Sequence, residues 1–362
     1  MDRATVDVYD TRGEQWAATC RPVRRDAAHA FAAAVPAGGA RLDVGCGTGR
    51  YIGALGAPVV GVDASRTMLE HCRRSAPHAP LVQGDLEALP FGVRRLHGAW
   101  ANMNYHHVPS TRLPMALFDL HRVLAPGAPL DLQVVTGDYE GDALPDDDVG
   151  GRNFATWRAG HLRDVVVGAG FEDLEVVVDG DVVRVRARPA RTLADTVGAG
   201  MRLLVVGLNP SLYAADAGVG FARPGNRFWP AAAAAGLVRV ERDPVAALAH
   251  DGVGMTDLVK RATARAEGLA SAEYVQGMHR VARLVRWLAP RAVCMVGLSG
   301  WRTAVDRDAS PGRQPGDLGG RPVYVMPSTS GANAHASRAE LAAHLAAAAR
   351  LADEAAGIPD HA

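Results

Sequence analysis

Eight residues, Leu42-Asp43-Val44-Gly45-Cys46-Gly47-Thr48-Gly49, restrict this chain more than any other stretch of it. A short apolar strand runs directly into glycines at alternate positions. Such a turn suits backbone at positive φ and, having no Cβ atoms, lets a ligand approach the main chain closely. Apolar runs recur further on, at residues 58–62, 130–135, 202–206 and 321–327, separated by longer helical patterns. That alternation predicts an α/β chain built on largely parallel sheets with crossover helices.

One such sheet does not need 362 residues. At about 100–200 residues per domain, two domains are expected. The boundary is placed at residues 191–200, a linker with weak periodicity and closing glycines, so that the domains are 1–190 and 201–362. The acidic stretch 138–151, with Asp146-Asp147-Asp148, is expected to be a solvated loop inside the first domain. No apolar stretch has the length of a signal core or a membrane span, and a cytoplasmic location without membrane contact is expected. Cys20, Cys46, Cys72 and Cys294 show no C-x-x-C spacing, so neither a metal site nor a disulfide framework is expected. The formal net charge of zero divides into 21 Lys+Arg against 25 Asp+Glu before Met201 and 18 against 14 from there on. A mildly basic second half is compatible with a nucleic-acid partner but does not require one.

In the first half the glycine turn does not stand alone. Asp63 ends the next strand, eighteen residues past Gly45, where a carboxylate can accept both hydroxyl hydrogens of a ribose. In order after it come Val62-Asp63-Ala64-Ser65, then Gly84-Asp85-Leu86-Glu87-Ala88-Leu89-Pro90-Phe91, then Arg122-Val123-Leu124-Ala125-Pro126-Gly127. The spacing is G-x-G-x-G rather than the G-x-G-x-x-G of dinucleotide folds. Together these segments resemble the class I S-adenosylmethionine-dependent methyltransferases, with a Rossmann-like, mostly parallel sheet. The resemblance implies S-adenosyl-L-methionine as cofactor. It places Gly45, Gly47 and Gly49 beside the amino-acid part, Asp63 on the ribose, Asp85 and Leu86 along the adenine, and Asp43 and Asn102 on the same cavity. The other reading is that the glycines only turn the chain and the acids only cap helices. Asn102, Asn104, Tyr105, His106 and His107 follow the fourth strand, where they would face a methyl acceptor; packing or exposure serves the two histidines as well. Cys46, inside the loop, is not expected to be a nucleophile, and the acceptor is unknown.

The second half starts afresh with Arg202-Leu203-Leu204-Val205-Val206-Gly207-Leu208-Asn209-Pro210-Ser211. A buried strand delivers Asn209 to the carboxyl end of a sheet, and Pro210 stops the ladder. Then follow Phe221-Ala222-Arg223-Pro224-Gly225-Asn226-Arg227-Phe228-Trp229, Met255-Thr256-Asp257-Leu258-Val259, and Met326-Pro327-Ser328-Thr329-Ser330-Gly331-Ala332-Asn333-Ala334-His335. Ser337 and Glu340 have the spacing of a capping box. These segments resemble the mismatch-specific uracil/thymine branch of the uracil-DNA glycosylase superfamily, an αβα domain with a short parallel sheet. The resemblance implies a flipped base stacked on Phe221, with Leu208, Ser211 and Asn226 around it and Asn209 orienting a water on the sugar. Ser328, Ser330, Gly331, Ala332, Asn333 and His335 would meet the DNA. Relatives often place a leucine or arginine wedge where this loop offers Ala332 and Asn333, and Arg223 stands where a histidine is frequent. Because an amide is no strong base, slow turnover is expected. Phe228 and Trp229 read as core, as do Val275, Met278, Ala282, Val285 and Leu288 at helical spacing.

The expectation is therefore a bifunctional enzyme. Its second domain would remove uracil, with thymine and other damaged bases as further candidates, from mismatched DNA, and its first would methylate an unknown acceptor. The alternative is a methyltransferase whose glycosylase-like domain has lost catalysis and only binds DNA.

Overall fold

β1 (Arg41–Val44) is buried along its whole length, as a strand covered on both faces must be. It pairs in parallel with β2 (Val59–Asp63) on one side and β4 (Gly98–Asn102) on the other. β3 (Leu81–Gln83) extends the sheet beyond β2, and β5 (Leu130–Val135) beyond β4. A short hairpin of β6 (Glu140–Gly141) and β7 (Phe154–Ala155) stands apart. β8 (Phe171–Asp179) and β9 (Val182–Pro189) close the sheet antiparallel, giving the order β3-β2-β1-β4-β5-β9-β8. The order reverses between β1 and β4, and the crevice beyond their carboxyl ends is where an open α/β sheet takes ligands.

The computed structural model describes residues 1–19, 24–144, 147, 149–333 and 336–355, and these divide into two units, Met1–Ala190 and Arg191–Ala362. In the second unit β10 (Leu203–Gly207) lies between β11 (Val253–Asp257) and β12 (Ala292–Val296), all parallel. β14 (Arg321–Met326) joins β12 in parallel, and β13 (Gly312–Leu318) ends the sheet antiparallel. Both sheets are thus largely parallel, as the alternation in the sequence implies.

Successive residues of β10 serve two cores. Leu203 and Val205 pack with Phe228, Trp229, Leu341 and Leu345, whereas Leu204 and Val206 pack with Met278, Val281 and Val285. That is the period-2 alternation of a strand sandwiched between helices. Each such side chain, fully buried, contributes about 1.5–3 kcal/mol. The helix Arg338–Ala355 that covers one face starts at the expected capping box: Ser337 N–H donates to Glu340 at 2.6 Å and Glu340 N–H to Ser337 Oγ at 3.2 Å. On the opposite helix, Ser271–Leu288, Met278, Val285 and Leu288 are core and Ala282 packs against it, but Val275 is exposed. Among the described residues no helix is long and apolar enough to cross a membrane.

Residues 191–200 differ from the expected linker: they belong to the second unit. Thr196 and Met255 exchange backbone hydrogen bonds at 2.9 and 2.8 Å, and Leu193 and Val197 are buried. The buried Asp195 carboxylate accepts from Lys260 Nζ at 2.7 Å, Arg280 Nη1 at 2.8 Å and Thr256 Oγ1 at 2.6 Å. The segment lacks periodicity because it is anchored residue by residue rather than as a helix or a long strand.

Candidate functional site

In the first unit the crevice between β1 and β4 opens into a cavity of about 1100 Å³. Gly45 leaves β1 at φ +55°, and a Cβ there would come within 2.8 Å of Asn104 Cβ, so only glycine fits. Asn104 in turn donates from Nδ2 to the Val44 carbonyl, pinning the chain after β4 against the turn after β1. Gly49, at φ +78°, is likewise closed to a side chain by Cys72 Sγ.

Asp63, at the end of β2, lines the cavity. Its carboxylate accepts from Gly47 N–H at 2.8 Å and Ser65 N–H at 2.9 Å. Burial raises its carboxyl to about 6 despite those bonds. Asp43 lines the same space and is more deeply buried. Burial, with Cys72 and Asp63 nearby, lifts its carboxyl well above the usual range, and its Oδ2 has no partner among the described residues. Gly45, Gly47, Leu86 and Asn102 also line the cavity, Asn102 with its Oδ1 held by Arg24 at 3.0 Å. Gly49 and Asp85 are not on its wall. The Asp85 carboxylate instead accepts from the Met1 amino group at 2.5 Å and from Glu87 N–H at 3.0 Å. Cys46 is buried on the wall; a hydrogen bond with Cys72 and burial push its thiol up, which leaves it inert.

Past Asn104 the chain forms a 3₁₀ turn, Tyr105–His107, whose residues are all buried. Both histidines line the cavity, their rings 4.2 Å apart, whereas Tyr105 does not. An exposed role for either histidine is therefore ruled out. Burial lowers His107 to about 4 and holds His106 well below the usual imidazole range, so both rings are neutral at pH 7. Around them stand Tyr9 and Trp16, from the helix Arg3–Thr19, with Arg152 and Phe154. None of these four carries a local signal in the sequence, since they reach the two histidines from 45 or more residues away through folding alone.

In the second unit Asn209 follows β10 by two residues. Its Nδ2 donates to the Arg261 carbonyl at 3.0 Å, Thr263 Oγ1 at 2.8 Å and, more loosely, the Pro210 carbonyl at 3.2 Å. Carbonyls only accept, so this network fixes which end is the amide nitrogen. The other end, Oδ1, accepts no hydrogen bond from the described residues. Phe221 is a non-glycine residue held at φ +58°, its ring stacked on Phe228 at 4.2 Å and 21°.

Phe221 and Asp257, to which the sequence reading gave no role, meet at Gly207. A Cβ on Gly207 would lie 3.4 Å from Phe221 Cζ and 2.5 Å from Asp257 Oδ1. Asp257 ends β11 directly beside Gly207. The residue is only partly covered, but loss of water around its carboxyl raises it to about 6, with Lys260 and Arg280 opposing and Asp195 adding. No described residue hydrogen-bonds its carboxylate. The signal in the sequence is a carboxylate at the carboxyl end of a buried strand, and it is visible once β11 is known to neighbour β10.

Other expected base contacts are occupied locally. Ser211 Oγ accepts from Ala214 N–H at 3.1 Å as the cap of the helix Leu212–Ala217, and Asn226 Oδ1 accepts from Phe228 N–H at 2.9 Å. Leu208 packs against the core. Phe228 and Trp229 are buried, as expected. Arg227 donates to the carbonyls of Ser330, Asn333 and Ala336, which fastens the loop after β14 to the loop after Phe221. Ser330, Gly331 and Ala332 are exposed at its tip, while Ser328 and Asn333 are half-buried, with Asn333 Nδ2 donating to the Ser328 carbonyl at 2.7 Å. His335 lies outside the described residues.

Two family models match the chain: a methyltransferase domain over residues 42–127 and the uracil DNA glycosylase superfamily over residues 195–352. Solved structures similar to parts of the chain include a DhpI–SAH complex, 20% identical, covering 52% of this chain and 96% of that one, with a TM-score of 0.42. A 1,6-didemethyltoxoflavin-N1-methyltransferase from Burkholderia thailandensis is 21% identical over 50% of this chain and 84% of its own, with a TM-score of 0.40. A possible histamine N-methyltransferase from Thermotoga maritima is 20% identical over 51% and 99%, with a TM-score of 0.39.

Proposed function

The chain joins a methyltransferase domain to a domain of the uracil-DNA glycosylase superfamily, and we propose that both catalyse: the second hydrolyses the N-glycosidic bond of uracil in mismatched DNA, and the first transfers a methyl group from S-adenosylmethionine. The observation that carries the glycosylase reading is that an aromatic ring and an unpaired carboxylate meet at Gly207, with a fixed amide two residues further along the chain.

A uracil turned out of the duplex stacks on the face of Phe221 that Phe228 does not cover. Asn209, its nitrogen tied back to Arg261 and Thr263, presents Oδ1 to a water. The Asp257 carboxylate takes that water's proton as its oxygen bonds to the sugar carbon. The carbon–nitrogen bond breaks with its electron pair passing to the base. A carboxylate with a proton affinity near pH 6 supplies the base that an amide cannot. This modifies the expectation of slow turnover, which considered Asn209 alone. Ser330, Gly331 and Ala332 are the exposed tip that meets the DNA backbone.

The test is a uracil·guanine duplex incubated with the full chain and then treated with alkali. Strand scission is expected, and Asn209→Ala should reduce its rate by about 100-fold or more, the usual effect of removing one positioned polar group from such a site. Intact DNA at high protein concentration would overturn the reading, and if the duplex were still bound it would favour the non-catalytic, DNA-binding alternative.

The first unit fits S-adenosylmethionine on two observations. The orphaned Asp43 Oδ2 suits a cation, and Asp63 has hydrogen-bond capacity facing the cavity for a ribose. When bound, the cofactor supplies a methyl group activated on a sulfonium. Asp63 holds the ribose hydroxyls, Asp43 faces the positive charge, and the chain from Gly45 to Gly47 lets the ligand approach the backbone. Asp63→Ala should weaken S-adenosylmethionine binding by about 10- to 100-fold in calorimetry, the equivalent of one or two hydrogen bonds to a charged group. Unaltered binding would count against this assignment.

A further inference from the structure

We propose that the far end of the first unit's cavity holds a small, neutral, planar methyl acceptor bearing a hydroxyl group, and that Tyr9, backed by His107, removes the hydroxyl proton. The inference rests on the reading of the near end as the S-adenosylmethionine site. At about 1100 Å³ the cavity exceeds the roughly 300–1,000 Å³ that one drug-sized ligand fills, so a second molecule has room.

Hydrogen-bond directions at this end are fixed by elimination. His107 Nδ1 lies 2.7 Å from the Asn153 carbonyl, which only accepts, so Nδ1 carries the hydrogen and Nε2 keeps its lone pair. Tyr9 Oη, 2.9 Å from Nε2, must donate to it. Arg152 Nη1 donates to the same Tyr9 oxygen at 2.9 Å and stabilises negative charge there. Tyr9 is thus a phenol with an acceptor for its proton on one side and a cation on the other. His107 Nε2 has one lone pair and Tyr9 takes it, so the 3.2 Å approach of His106 Nε2 fixes no tautomer for His106, whose Nδ1 is buried without a partner among the described residues. A cavity wall with an unmatched polar atom suits a ligand that brings a hydroxyl group, which can donate or accept.

Charge and shape narrow the class. Arg152 is ion-paired with Asp147, so no net charge remains there for an anionic acceptor. Phe154 stacks on His106 at 5.4 Å and 16°, and Tyr9 meets Trp16 edge-on at 5.6 Å, making walls suited to a flat ring. A carboxylate or thiolate needs no base to accept a methyl group, whereas a hydroxyl must lose its proton. In the step the acceptor oxygen bonds to the methyl carbon as the carbon–sulfur bond breaks, its electron pair passing to sulfur. The hydroxyl proton moves to Tyr9 Oη, and the Tyr9 proton moves to His107 Nε2.

The full chain is incubated with methyl-labelled S-adenosylmethionine and, separately, 2-naphthol, 2-naphthoate and duplex DNA. Label is expected in 2-naphthol as its methyl ether and in neither of the others. Tyr9→Phe keeps the ring and its packing; it should lower kcat by about 100-fold while KM for 2-naphthol and cofactor affinity by calorimetry stay within about twofold. His107→Gln should do the same. Label in naphthoate or DNA instead of naphthol, no label in any of them with cofactor bound, or an unchanged kcat in Tyr9→Phe overturns the proposal. If the unmodified protein binds no S-adenosylmethionine, the underlying cofactor reading is what has failed.

Discussion

Asp257→Asn should slow release of uracil from a uracil·guanine duplex by about 100-fold or more under single-turnover conditions, within the range expected for loss of a general base. Asparagine keeps the shape beside Gly207 and removes only the ability to take a proton. The pH dependence gives the sharper test. The rate of the unmodified protein should climb as pH rises through about 6, where the carboxyl ionises, and level off above it. The variant should lack that limb. Stability should move the other way. A carboxyl whose folded pKa is raised opposes folding above that pKa, and the penalty fades as pH falls through about 6. The variant should therefore melt no lower than the parent at pH 8. Loss of both activity and stability would point to a structural role for Asp257, and full activity would remove it from the mechanism.

Asp195→Ala should destabilise the second unit by about 3–5 kcal/mol, a large part of the about 5–15 kcal/mol that holds a typical domain together. Two cations, Lys260 and Arg280, point at this one carboxylate, and truncation leaves the buried Arg280 and the half-buried Lys260 without it. Burial by itself would raise the Asp195 carboxyl, but Arg280 and Lys260 outweigh it and hold the group below its ordinary value. A lowered folded pKa means that the stabilisation is complete above the unfolded value, about 3.9, and disappears as pH falls through the folded one. Urea titration of the full chain at pH 7 and pH 3 checks this: the gap between parent and variant should be smaller at the second than at the first. An equal gap at both would remove the ion pairs as its cause.

What the sequence made legible follows from distance along the chain. Gly45 and Gly47 sit in one turn, and Asp63 one crossover later at the end of the adjacent strand, so the near end of the cavity was implied by the resemblance that these and the following segments carry. Asn209 was legible for the same reason, as a residue at the end of a buried strand. The resemblance implies Ser211 and Asn226 beside the flipped base, and in the structure each side-chain oxygen accepts from a local N–H, that of Ala214 and that of Phe228. Local competition of that kind is the usual fate of such side chains at helix starts. Asp257, Arg152 and Tyr9 were invisible as site residues because each arrives by tertiary packing. Asp195 was hidden for a different reason, its surroundings resembling a linker because the segment is anchored by single residues rather than by a periodic element.

Phe221 shows what this arrangement means for a visiting base. A bulky residue in the left-handed region costs on the order of 1 kcal/mol or more, and the rest of the fold must supply it. In return the ring is parallel to Phe228 before any ligand arrives. Its rotational freedom has been surrendered during folding, so docking a pyrimidine on it freezes little further motion on the protein side. On the proposed function, selectivity would then fall to the incoming nucleotide: a poorly paired base would leave the helix at small cost and settle on a resting surface, while a well-paired one would have to overcome the whole of its own stacking and pairing.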